Sequence, residues 1–204
     1  MRNFFIWLLT PLARYFSGVH PHVLTFIAFI TGISSGIAYW LTVKDPGFYL
    51  LGGLFAGISG ICDSLDGIVS RMYGKSSRLG DFLDHFCDRV VDTAILIGFS
   101  FSTHANPTLG LVTIIIILLN SYQGTQIQAS FDNRLYVGSG KAELFVCLVI
   151  FSGFMFCFPD MVIRGAGKSI ALINLAFIIL GCVSIISIFY RCYHVYQLYA
   201  ESDR

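Results

Sequence analysis

Long stretches of this chain offer water almost nothing to bind. Six segments, 23–43, 48–69, 82–102, 109–127, 144–158 and 170–190, are built mainly of apolar side chains. A helix needs about 20 such residues to cross a bilayer core, whereas a tilted strand needs about ten. Backbone groups in lipid must be satisfied within the segment, so these runs predict helices. The fifth run is the shortest, and its helix is expected to begin nearer Lys141. Charged residues make up 12% of the chain, against about 25% in an ordinary soluble domain. Hydrophobic residues make up 55%, and the mean hydropathy is +0.74. That balance excludes a disordered chain, a secreted disulfide scaffold and a nucleic-acid binder. The expected fold class is all-α: a polytopic membrane protein with six transmembrane helices behind an N-terminal interfacial helix. Repeats, low-complexity tracts and linkers are absent, so 1–204 reads as a single domain.

Residues 1–20 form the expected interfacial segment. Phe4, Phe5, Trp7, Leu8, Leu9 and Leu12 lie between Arg2 and Arg14. The stretch is too short to cross, and Pro11 is expected to interrupt it. A helix lying in the membrane interface and a helix packed on the bundle both fit. The opening residues lack the pattern of a cleavable signal. None of the six cysteines belongs to a CxxC pair, and those inside apolar runs are read as small apolar fillers.

Orientation follows from Lys and Arg in short loops. With the N-terminus inside, nine basic residues (Arg2, Arg14, Arg71, Lys75, Arg78, Arg134, Lys141, Arg191 and Arg204) face the cytoplasm. Lys44, Arg164 and Lys168 face out. Both termini are therefore expected in the cytoplasm.

Charges inside spans are costly and mark function. Six of the twelve acidic residues, Asp63, Asp66, Asp81, Asp84, Asp88 and Asp92, fall within 63–92. Asp63 and Asp66 are about 60° apart on one helix, and Asp81, Asp84, Asp88 and Asp92 form a stripe on the next. The short connection between them predicts antiparallel neighbouring helices whose carboxylates face each other near the cytoplasmic end. Several carboxylates in a low-dielectric site cannot all stay ionised without counter-charge, and no Lys stands among them. Two divalent cations would balance four carboxylates. Oxygen ligands favour Mg²⁺, Mn²⁺ or Ca²⁺ over Zn²⁺, and paired ions suit displacement at phosphorus. Gly67, inside a helix beside Asp66, either lets a nucleotide reach the backbone or lets another helix pack closely.

Asp63-x-x-Asp66-Gly67-x-x-Ser70-Arg71, eight residues, then Gly80-x-x-x-Asp84-x-x-x-Asp88 resembles the signature of the CDP-alcohol phosphotransferases, DxxDGxxAR-x8-GxxxDxxxD. Every spacing agrees, and Ser70 stands where the family usually has Ala. Pro21-His22-Val23-Leu24-Thr25 is similar to the family's Pro-Asn-x-x-Thr, with His22 in place of Asn. The resemblance implies transfer of a substituted phosphoryl group from a CDP-alcohol, such as a CDP-lipid, to a second alcohol with release of CMP. It implies that Asp63, Asp66, Asp84 and Asp88 ligate two cations, Mg²⁺ or Mn²⁺, and that Asp88 is the general base. It implies that Thr25, Asp66, Gly67, Arg71 and Gly80 line the CDP pocket. A homodimer among membrane lipids is implied as well.

For the acceptor, Asp88-Arg89-x-x-Asp92 resembles the inositol-phosphate branch, although an internal Arg89–Asp92 ion pair fits equally. Arg89, Arg134 and Lys141 are the candidate acceptor-binding cations. Few basic residues accompany Lys141 and Glu143, so inositol phosphate or glycerol phosphate competes with an uncharged or zwitterionic alcohol. Asp81 is expected to cap its helix, and His85 to make a structural polar contact. A Mg²⁺-dependent prenyltransferase would need a second Asp-rich motif, and beyond Asp92 only the singletons Asp132, Asp160 and Asp203 occur. A cation-coupled transporter would spread polar residues over two halves.

Overall fold

A computed structural model describes residues 2–16, 18–74, 78–131, 141–165 and 168–202. Seven helices dominate them: α1 (Arg2–Tyr15), α2 (Pro21–Leu41), α3 (Phe48–Met72), α4 (Arg78–Ser100), α5 (Pro107–Phe131), α6 (Lys141–Cys157) and α7 (Leu172–Ser202). The expected runs recur as α2 to α7. Pro21 opens α2 because its fixed φ suits the first helical position. A short antiparallel hairpin, β1 (Val162–Gly165) with β2 (Lys168–Ala171), precedes α7 and pairs Val162 with Ala171. The all-helical expectation omitted it. Val162, Ile163 and Ile170 are β-branched, which favours extended backbone over so short a stretch.

Four helices, α2, α3, α5 and residues 172–197 of α7, are long and apolar enough to cross a membrane. Helix α6 has 17 residues and is shorter. Helix α4 carries the Asp stripe and is too charged to qualify by composition.

Three local expectations change. Helix α1 continues through Pro11, and Ala13 is buried against Leu24, Leu65, Ile68 and Val69. Packing on α3 holds the helix although the proline removes one backbone donor. Asp81 lies inside the first turn of α4, which starts at Arg78, so it is not the N-cap. Helix α7 runs to Ser202, which places exposed Tyr190, Tyr193, Tyr196 and Tyr199 on its helical end.

The contacts divide the chain into two compact units, Met1–Thr103 with Ser139–Met161, and His104–Gly138 with Val162–Arg204. In the first, small residues let backbones approach closely. A methyl group on Gly36 would strike the Ala94 carbonyl, and one on Gly98 would strike the Gly36 carbonyl. Gly32 faces Val91, and the Tyr39 ring stacks on Phe99 at 3.8 Å. Residue numbers rise together along these contacts, so α2 and α4 run parallel. Helices α2 and α3 run antiparallel: the Ser35 hydroxyl donates to the Gly52 carbonyl at 2.8 Å and the Ser59 hydroxyl to the Ala28 carbonyl at 2.7 Å. Helix α6 is antiparallel to α3, with Gly53 against Ser152 and Gly60 against Phe145.

In the second unit α5 and α7 run parallel. The Asn106 backbone N–H donates to Asn174 Oδ1 at 2.7 Å, Thr113 donates to the Phe177 carbonyl at 3.3 Å, and Ser187 donates to Asn120 Oδ1 at 3.1 Å. The Arg191 guanidinium donates to the Asn120 carbonyl.

Candidate active site

Helix α3 has two faces in its last turns. Leu65, Ile68 and Val69 are buried with Leu24 and Ala13. Asp63, Asp66, Gly67 and Ser70 occupy the opposite arc, about 100° wide at 100° per residue. Burying the apolar face fixes the rotation of α3 and with it the direction of the carboxylates. Asp66 is itself 5% exposed, and Asp63 is half-buried. A carboxylate this deep needs compensating donors. One comes from α2: the Thr25 hydroxyl donates to Asp66 Oδ2 at 2.7 Å. Such a charge-assisted bond is about twice as strong as a neutral one. Thr25 is therefore a direct hydrogen-bond partner of a motif aspartate.

Gly67 is open. The nearest atoms to a methyl group there would be the Arg71 guanidinium nitrogens at 3.5 Å, an ordinary contact. Among the described residues, no atom of another helix lies nearer to that position than the Arg71 guanidinium. Arg71 itself is exposed, and Gly80 lies half-buried in the first turn of α4.

On α4, Asp84 and Asp88 are half-buried and His85 is exposed. One donor atom from each of the three lies within 4.8 Å of the others. The spacing explains this: Asp88 is one turn beyond both, and helical side chains lean toward the N-terminus. Sequence alone predicts a structural polar contact for His85, and only the i, i+3 step to Asp88 points to this clustering. Arg89 pairs with Asp92 at 3.1 Å, so the internal ion pair is present. Arg134 lies outside the described residues, and Lys141 begins α6 with its side chain outside them.

The expected packing of α3 directly on α4 needs correction. Both helices pack on α2, and contact between α3 and α4 is slight at most among the described residues. Small residues on α2 give the reason: Gly32 and Gly36 accept α4, while Ser35 bonds to α3. The parallel register that sets Gly32 against Val91 brings Asp84 level with Thr25, seven residues earlier on each helix. Thr25 holds Asp66, so the α3 and α4 carboxylates lie at the same end of the unit. Hard oxygen donors from Asp63, Asp66, Asp84 and Asp88, with one imidazole nearby, fit a divalent cation.

The family model for CDP-alcohol phosphatidyltransferase matches residues 18–185. The chain belongs to this family. It is a metal-dependent integral membrane enzyme of phospholipid synthesis, transferring a substituted phosphoryl group from a CDP-alcohol to a second alcohol and releasing CMP. The prenyltransferase and transporter readings are thereby set aside. The enzyme is similar to an archaetidylinositol phosphate synthase of Pyrococcus horikoshii, 27% identical over 138 residues, or 67% of this chain and 71% of that protein. It is also similar to a phosphatidylinositol phosphate synthase of Streptomyces avermitilis, 36% identical over 101 residues, or 48% of this chain and 40% of that protein. Two structures of a Mycobacterium tuberculosis phosphatidylinositol phosphate synthase share the fold. The one with CDP-DAG bound has a TM-score of 0.67 at 23% identity, covering 90% of this chain and 91% of that one. The one in complex with manganese and citrate has a TM-score of 0.69 at 22% identity, covering 92% and 88%.

Proposed function

We propose that this enzyme transfers the lipid-phosphoryl group of a CDP-linked lipid to inositol phosphate at the cytoplasmic face of a membrane. The carrying observation is the set of carboxylates brought to one end of the first unit, with Asp66 tied to Thr25 and Asp84 beside Asp88. The names of the Pyrococcus and Streptomyces relatives support inositol phosphate as acceptor, and CDP-DAG in the structural neighbour supports a CDP-lipid donor.

In this reading Asp63, Asp66, Asp84 and Asp88 hold two divalent cations, Mg²⁺ or Mn²⁺. Bound cations would neutralise the diphosphate and ease departure of CMP. Asp88 accepts the proton of the acceptor hydroxyl. The resulting oxygen attacks the lipid-linked phosphorus as its bond to the CMP phosphate breaks. Gly67 leaves room for the cytidine nucleotide against α3, with Thr25, Arg71 and Gly80 around it. Arg89, Arg134 and Lys141 supply positive charge to the acceptor phosphate.

The whole chain is read as one membrane domain, since a single family model runs through both units. Six crossings are supported by helix direction. Helices α2, α4 and α6 share one sense and α3 the opposite one, while α5 and α7 share theirs. Strict alternation meets every one of these relations, with α4 and α6 crossing despite charge and shortness. Single cysteines at Ser76 and Ala105 are expected to label from opposite sides of sealed vesicles, Ser76 from the cytoplasm. Labelling from one side rejects the topology. A homodimer is proposed on family grounds, and light scattering of detergent-purified enzyme checks it.

The acceptor test offers purified enzyme CDP-diacylglycerol, Mg²⁺ or Mn²⁺, and in turn inositol phosphate, glycerol phosphate, inositol and serine. CMP release is expected with inositol phosphate. Arg134→Ala and Lys141→Ala should each raise its KM about tenfold or more, since a hydrogen bond to a charged group contributes about 1.5–3 kcal/mol. Turnover of unphosphorylated alcohols alone, or unchanged KM in both variants, rejects the phosphate-binding role.

A further inference from the structure

The arrangement on α4 does more than collect negative charge. Asp84 and Asp88 each offer carboxylate oxygen, and His85 brings imidazole nitrogen into the same 4.8 Å group. The geometry points to His85 as a third ligand that biases this site toward Mn²⁺ over Mg²⁺. The inference rests on the reading that Asp84 and Asp88 hold a cation.

Mg²⁺ is small and hard, prefers oxygen and gives up its waters reluctantly. Imidazole suits later divalent metals better, and affinity for nitrogen sites rises from Mn²⁺ along the series. A site of carboxylates alone discriminates little between Mg²⁺ and Mn²⁺. One nitrogen donor shifts the balance. The position of His85 favours this role. It is one turn from Asp88 and adjacent to Asp84, and its ring nitrogen already lies within 4.8 Å of a carboxylate oxygen of each. It is also exposed, so its ring can turn toward an arriving cation without breaking a packed core. The other described motif aspartates, Asp63 and Asp66, are on α3 and bring oxygen only.

The test reads the metal directly. Detergent-purified enzyme is stripped with chelator and loaded with Mn²⁺ in the absence of nucleotide. Pulsed electron paramagnetic resonance then reports nitrogen bound to the ion, with ¹⁵N-histidine labelling to identify imidazole. Competition titrations give the ratio of Mg²⁺ to Mn²⁺ dissociation constants. Wild type should show one imidazole coupling. His85→Ala and His85→Gln should still bind Mn²⁺ but lose that coupling, and their preference for Mn²⁺ should fall about tenfold. The variants also separate His85 from His22, which lies on α2 one turn before Thr25. Bound Mn²⁺ without imidazole coupling, or an unchanged preference in both variants, overturns the role of His85 and leaves the aspartate site standing. Absence of Mn²⁺ binding in wild type overturns the aspartate reading together with it.

Discussion

Asp88→Asn is expected to abolish turnover while the protein folds and still takes up CDP-lipid. The amide has the size of the carboxylate but cannot accept the acceptor's proton. Loss of a general base costs about 10²–10⁴ in rate, and weakened cation binding at the Asp84–Asp88 group adds to that loss. The half-buried position of Asp88 on a continuous helix gives the substitution little to disturb in the fold. Asp63→Asn and Asp66→Asn should differ in kind. Their main effect should be on metal-dependent nucleotide binding, weakened about 10–100-fold, as is common for residues that hold or orient a metal. CMP release, melting temperature and calorimetric binding of CDP-diacylglycerol with Mn²⁺ distinguish the two patterns. Turnover by Asp88→Asn near the wild-type rate removes that residue from the mechanism.

Gly98→Leu is expected to cost about 10²-fold in activity although the residue touches none of the aspartates. Position 98 is 14 residues beyond Asp84, about 21 Å along the axis. A side chain there enters the Gly36 carbonyl, which is backbone and cannot rotate away. Helices α2 and α4 must part, and α4 carries Asp84 and Asp88. Misplacement of about 1 Å far from the chemistry is enough for a loss of this size. Overpacking of this kind also destabilises by about 1–3 kcal/mol, which a lowered melting temperature would report. Gly98→Ala should give a smaller loss in the same direction. Gly153→Leu is the control, because space around Gly153 is open. If Gly98→Leu matches that control in rate and melting temperature, the close crossing of α2 and α4 is wrong.

Most of the helices were legible because lipid leaves a chain so few alternatives. Apolar run length alone marks α2, α3, α5 and α7. The four motif aspartates were legible because fixed spacing on two helices is visible without any tertiary contact. What escaped was long-range or shape-dependent. The Thr25–Asp66 bond joins residues 41 apart, and neither sequence neighbourhood announces it. A short connection between α3 and α4 implies that they pack together, but α2 takes both, α4 at Gly32 and Gly36 and α3 at Ser35. Continuation of α1 through Pro11 depends on its burial against α3, which local preference does not record. His85 reads in sequence as a structural contact because a histidine beside acidic residues has many ordinary uses.

Helix α3 is braced by α1, α2 and α6, whereas α4 leans chiefly on α2. The two sets of carboxylates therefore differ in mechanical freedom. Asp63 and Asp66 sit on a member restrained from several sides. Asp84 and Asp88 sit on one held mainly along α2, with Gly32 against Val91 one turn beyond Asp88 and Gly36 against Gly98 farther along. The distance between the two sets of charges is thus relayed through α2, which holds Asp66 by Thr25 and α4 by its glycines.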